Sequence, residues 1–208
     1  MPRSVPLKPG QVPAGSKLTL DTFAKNIGFT SNMMATFAQS PIAFNSWAAL
    51  LGSFSKALDV KTRDGIGVAV SEVNGCNYCL TVQSFAAEHM AKLRADDSIL
   101  ARKGHAGDPK RDAAVQFARK VVETGGKVSD ADLKTVRDVG YTDANVMEIV
   151  ALVAMSGLFC MCRQETTSSG VSTRSLAIWA WAARFGGSLV APNSDEGIAN
   201  MRPLKTAS

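Results

Sequence analysis

The chain has 208 residues, 46% of them hydrophobic and 20% charged, with a formal net charge of +5 at neutral pH. That length suffices for a globular domain with its own buried core, and the composition excludes a disordered or fibrous chain. The positive balance does not point to nucleic acid: the basic residues, among them Lys56, Lys61, Arg111 and Arg119, are interleaved with acids, and no basic run carries the aromatic residues that stack bases.

Residues 1–16 are rich in Pro and Gly, lack the apolar centre of a signal peptide, and read as an extended lead-in. Helical patterning follows, and no stretch alternates as a strand does. Pro41 suits a first helical turn, and Ile42, Phe44, Trp47, Leu50, Leu51 and Phe54 follow it as an apolar stripe. Asp59 is placed to cap a helix from Val60 to about Val73. Asn74-Gly75 interrupts that helix, because Gly supplies the left-handed backbone of a tight turn. A second helix starts near Cys76 and runs to about Leu93. After the Gly104–Gly107 loop, Asp108-Pro109 opens a helix through about Glu123, which Gly125-Gly126 ends. Ser129 and its acidic neighbours cap a short helix to Val139, and Thr142-Asp143 starts another to about Phe159.

The longest apolar run, Ile149 to Cys162, falls short of the roughly 20 residues that cross a bilayer. It reads as a buried helix, so no membrane partner is expected. The pattern predicts one all-α domain of about seven helices over residues 17–160. From Met161 the chain turns rich in Ser, Gly and Arg, with Trp179 and Trp181 two apart and therefore on different helix faces. Residues 161–208 read as an atypical tail, either poorly ordered or carrying one short extra helix.

Four cysteines without a signal peptide point to a reducing, cytoplasmic compartment, where a close pair is catalytic, redox-active or metal-binding. Cys76 and Cys79, three apart at a helix start, face one side within reach of a disulfide or one metal ion. A thiolate at a helix N-terminus is stabilised by free N–H groups and the macrodipole. A reactive dithiol and two packed core thiols both fit this placement. Zinc needs about four ligands. The remaining candidates are Cys160, Cys162, His89 and His105. Cys160 and Cys162 are spaced to face different sides of a helix, and His89 lies off the Cys76, Cys79, Gln83 stripe. Cys160 and Cys162 read as small buried hydrophobes.

The segment Asp64 to Glu88, DGIGVAVSEVNGCNYCLTVQSFAAE, resembles the core of the carboxymuconolactone decarboxylase and alkylhydroperoxidase D-like (AhpD-like) superfamily, in its peroxidase-related branch with the Asn-Gly-Cys-x-x-Cys turn. The similarity extends loosely from about Phe23 to Phe159. It implies an all-α fold, assembly as trimers or hexamers, and reduction of peroxides at the dithiol without metal or flavin. It further implies that Cys79 attacks the peroxide and Cys76 resolves it as a disulfide, whereas dipole reasoning alone favours Cys76 as the attacker. In the family a histidine four residues after the second cysteine and a glutamate twelve before the first relay protons. Those positions here hold Gln83 and Asp64. Gln83 hydrogen-bonds but accepts no proton near neutrality, and Asp64 keeps the carboxylate on a shorter stem. Glu72 and His105 are other groups that a fold could bring in.

A missing general base costs roughly 10²- to 10⁴-fold in rate. The expected function is therefore a thiol-dependent peroxidase or dithiol oxidoreductase with a weakened relay, taking a peroxide and an external thiol reductant. The alternative is a non-catalytic oligomer that keeps the dithiol for redox sensing or structure. Lactone decarboxylation, the third reading, is weakened because family members of that kind generally lack the cysteine pair. Near residues 156–162 the resemblance breaks off abruptly, as a shifted reading frame would make it do. The coding DNA decides that point.

Overall fold

The structure, a computed structural model, describes residues 5–27, 30–89 and 91–166. Among these residues there are nine α-helices and no strand: α1 (Ala14–Ile27), α2 (Asn32–Phe37), α3 (Pro41–Ser53), α4 (Val60–Val73), α5 (Asn77–His89), α6 (Ala95–Arg102), α7 (Pro109–Thr124), α8 (Asp130–Asp138) and α9 (Asp143–Thr166). The count exceeds the roughly seven expected: six of the nine have ranges assigned from the sequence, while α2 and α6 are too short to show periodicity and α1 falls in the region left unassigned. Helix α1 begins inside the Pro/Gly-rich start, where the buried Ser16 hydroxyl donates to the Ala38 carbonyl at 2.7 Å. Helix α9 runs beyond Phe159 through Thr166. The segment 167–208, with Trp179 and Trp181, lies outside the described residues.

Local chemistry sets the ends of these helices. Asp59 accepts from the Thr62 amide at 3.1 Å and opens α4. Asp108 accepts from Arg111 N and opens α7 ahead of Pro109. Gly125, at φ +61°, closes α7 in the left-handed region. Ser129 and Asp132 cap each other reciprocally at α8.

Helix α4 is the central element, packed against α5, α6, α7 and α9, and every residue from Gly65 to Ser71 is buried. Two glycines allow this close packing. A Cβ at Gly65 would stand 3.3 Å from Val115 of α7, and one at Gly67 would stand 2.9 Å from the Gln83 amide of α5. Arg63 holds the entrance to α4 by donating from Nη1 to the carbonyls of Ala57 and Leu58 at 2.7 and 2.8 Å.

Phe23, Phe37, Phe44 and Trp47 form the aromatic centre of the main core, and Phe159 of α9 stacks on Trp47 at 5.7 Å. Two members of the expected α3 stripe stand outside this core: Ile42 and Leu50 are exposed, while Phe44, Trp47 and Phe54 are buried. Apolar periodicity identified the buried face of α3 but overstated its width.

By length and composition α9 over Asp143–Cys162 would reach across a bilayer. Its Val146, Ile149, Leu152, Val153 and Cys160 are buried within the bundle.

Candidate active site at the Cys76–Cys79 pair

The turn between α4 and α5 delivers the pair. Asn74 ends α4, its amide donating to the Val70 carbonyl, and its side-chain nitrogen donates to the same oxygen at 2.9 Å. Gly75 follows at φ +61°, and the Cys76 amide donates back to Ser71 O at 3.1 Å. The chain thus reverses within two residues and places Cys76 immediately before the first residue of α5. Cys76 and Cys79 are joined by a disulfide, with Cα atoms 5.2 Å apart. The Cys79 amide, one of the free N–H groups of the helix start, donates to Cys76 Sγ at 3.3 Å.

Both sulfurs are enclosed, Cys76 being 5% and Cys79 1% exposed. They belong to a small cluster with Tyr78, Val82 and Cys160. Cys160, read from the sequence as a small buried hydrophobe, is indeed buried at 1% exposure. Its sulfur, however, joins those of Cys76 and Cys79, the three lying within 4.8 Å of one another. Burial pushes the Cys160 thiol up to about 11, against hydrogen bonds with Ser71 and Asn74 that favour the thiolate. Nothing local signals this proximity, because α9 reaches the site from the far end of the described chain.

Gln83 is half-buried, with its amide against Gly67, so α5 carries it onto the face of α4 that the missing Cβ leaves open. Asp64 lies one helical turn before Gly67, and Ser71 about one turn after it, all on one face of α4. The residue Asp64 is only partly buried, yet its Oδ2 is closed off from solvent and has no hydrogen-bond partner among the described residues. Burial raises its carboxyl to about 7, with the Arg63 charge opposing and the Asp59 charge adding to the rise. Asp64 and Gly67, the position against which the Gln83 amide packs, thus lie on one face of α4.

The other carboxylate and imidazole considered are otherwise engaged. Glu72 pairs with Arg102 of α6 at 2.7 Å. His105 Nδ1 stands 3.2 Å from Asp112 of α7. The side chain of His89 lies outside the described residues. Three close sulfurs also make a possible soft-metal site, but the disulfide removes two of the donors while it is intact, and zinc takes a fourth ligand.

An all-helical bundle with a Cys-x-x-Cys pair on a helix–turn–helix hairpin is the AhpD-like fold, and this chain has it. The solved structures similar to it agree. One is an uncharacterized peroxidase-related protein from Ralstonia eutropha JMP134, described as an alkylhydroperoxidase AhpD core. It is 22% identical with a TM-score of 0.72, covering 86% of this chain and 96% of that one. The debrominase Bmp8 is 17% identical at a TM-score of 0.66, covering 86% and 96%. An uncharacterized peroxidase-related protein from Silicibacter sp. TM1040 is 17% identical at 0.64, covering 77% and 85%. No family model matches the sequence, and no curated protein matches it.

Proposed function

We propose that the protein is a thiol-dependent peroxidase of the AhpD-like superfamily, working in a reducing, cytoplasmic compartment as a homo-oligomer. The reading is supported by the disulfide-bonded pair at the head of α5, packed against the helix α4 that carries Asp64, whose enclosed carboxyl is raised to about 7. The Cys79 thiolate attacks one peroxide oxygen and the O–O bond breaks. The leaving oxygen takes a proton and departs as alcohol or water, and Cys79 becomes a sulfenic acid. Cys76 then attacks that sulfur, water leaves, and the Cys76–Cys79 disulfide forms. An external thiol reductant reopens it by two exchange steps. Asp64 manages the protons, and Gln83 holds the peroxide or an intervening water by hydrogen bonds.

Peroxide consumption by wild type, Cys79→Ser and Gln83→His tests this. Cys79→Ser is expected to abolish turnover. Gln83→His is expected to raise it, toward the roughly 10²-fold or more that a positioned base contributes. Absence of turnover in all three proteins overturns the enzyme reading and leaves a dithiol that senses redox state or serves the structure. The burial of both sulfurs favours that second reading if turnover fails.

A further inference from the structure

The cluster holds one sulfur more than the proposed cycle uses. Cys160 comes from α9 and stands within 4.8 Å of both disulfide sulfurs. It is held there by hydrogen bonds with Ser71 and Asn74 and enclosed by Tyr78, Val82 and Phe159. Its neighbour Cys162 is only partly buried and is not one of the three close sulfurs.

We propose that Cys160 is a second resolving thiol for Cys79, forming a Cys79–Cys160 disulfide that ties α9 to α5. This rests on the reading of Cys79 as the redox-active sulfur. Starting from the disulfide in the structure, the Cys160 thiolate attacks Cys79 Sγ. The Cys79–Cys160 bond forms and the Cys76–Cys79 bond breaks. The electron pair leaves on Cys76, which takes up the proton that Cys160 gave up. The number of disulfides is unchanged, so no oxidant is consumed.

The direction of attack follows from what surrounds each sulfur. Cys76 lies just before α5 and accepts the Cys79 amide hydrogen bond at 3.3 Å, so it is the sulfur best able to carry the departing negative charge. Cys79 belongs to the same buried cluster but lies inside the first turn of the helix. The better leaving thiol is the one with the lower pKa. Burial raises the Cys160 thiol, which makes its attack slow near neutrality and its disulfide, once formed, slow to reopen by expulsion of Cys160. Enclosure of all three sulfurs favours exchange among themselves over exchange with a bulky reductant.

The experiment maps disulfides in the full chain after oxidation with diamide, a two-electron thiol oxidant, followed by alkylation, digestion and mass spectrometry. Wild type is expected to give the Cys76–Cys79 peptide and, after prolonged incubation in mildly alkaline buffer, a Cys79–Cys160 peptide. Cys76→Ser is expected to give Cys79–Cys160 as its main disulfide, lowering alkylation of Cys79 by roughly tenfold or more, and the added Cys160→Ser change is expected to restore that alkylation. A Cys79–Cys160 peptide in wild type alone also supports the proposal if Cys76→Ser does not fold. Absence of that peptide from both proteins overturns it, as does a Cys79–Cys162 peptide in its place. Diamide bypasses peroxide, so a wild type that turns over peroxide without this cross-link sinks only the role of Cys160. A cross-link without turnover sinks only the peroxidase reading.

Discussion

Asp64 joins an ionisable carboxyl to an enclosed position on the central helix, and the consequence is a pH-dependent fold. Its carboxyl lies at about 7 against an ordinary 3.8, chiefly through burial. The folded protein therefore holds this proton more tightly than the unfolded chain does. The stability that Asp64 contributes is fully present below about pH 4 and is lost as pH rises through about 7. The gap corresponds to at most about 4 kcal/mol. Asp64→Asn removes the titration, so its Tm is expected to gain on wild type as pH rises from about 4 to about 8, by roughly 2 to 4 °C per kcal/mol. A constant difference in Tm across that range would show that Asp64 titrates normally. Gly67 carries the companion prediction. A Cβ there meets the end of the Gln83 side chain at 2.9 Å, a group that can swing away. Gly67→Ala is therefore expected to change stability by less than about 1 kcal/mol, read as a Tm shift of a few degrees at most, while lowering peroxide turnover because Gln83 leaves its place. Equal turnover would detach Gln83 from the chemistry.

Helix boundaries were legible wherever a single side chain decides them. Asp59, Asp108-Pro109, Gly125 and Ser129 each act within one turn, and each ends or begins a helix where the sequence placed it. Short helices were not legible, since six residues in α2 and eight in α6 hold too few apolar positions to establish a period. The hairpin that carries the dithiol was readable for the same local reason: Asn74-Gly75 allows one chain reversal. Its left-handed backbone gives a prediction at this scale. A Cβ at Gly75 meets nothing within 4 Å, so Gly75→Ala adds no clash and costs only the positive φ of +61°. The expected loss is about 1 kcal/mol in chemical denaturation. A neutral substitution would mean that the turn relaxes. What could not be read was tertiary: the arrival of Cys160 beside the pair depends on how α9 crosses α4, and no local spacing encodes that.

At the scale of the whole molecule, α9 does two things at once. One stripe, with Val146, Ile149, Val153 and Cys160, is buried against the bundle. On its flank Met147, Ala154, Leu158 and Met161 recur at intervals of seven, four and three, with Met147 65% and Met161 64% exposed. That spacing puts them on one helix face over about 21 Å. A long apolar stripe left open on a globular domain is the pattern of an association surface rather than of scattered surface residues. The oligomer proposed above would bury it between copies, as interface cores are depleted in charge and enriched in Met. Wild type is expected to sediment as a trimer or hexamer. The double variant Met147→Glu/Met161→Glu is expected to shift to smaller species with its helical signal intact, because each carboxylate would have to leave water on association. A monomeric wild type overturns the assignment, and an unchanged oligomer in the double variant places the contact on another face.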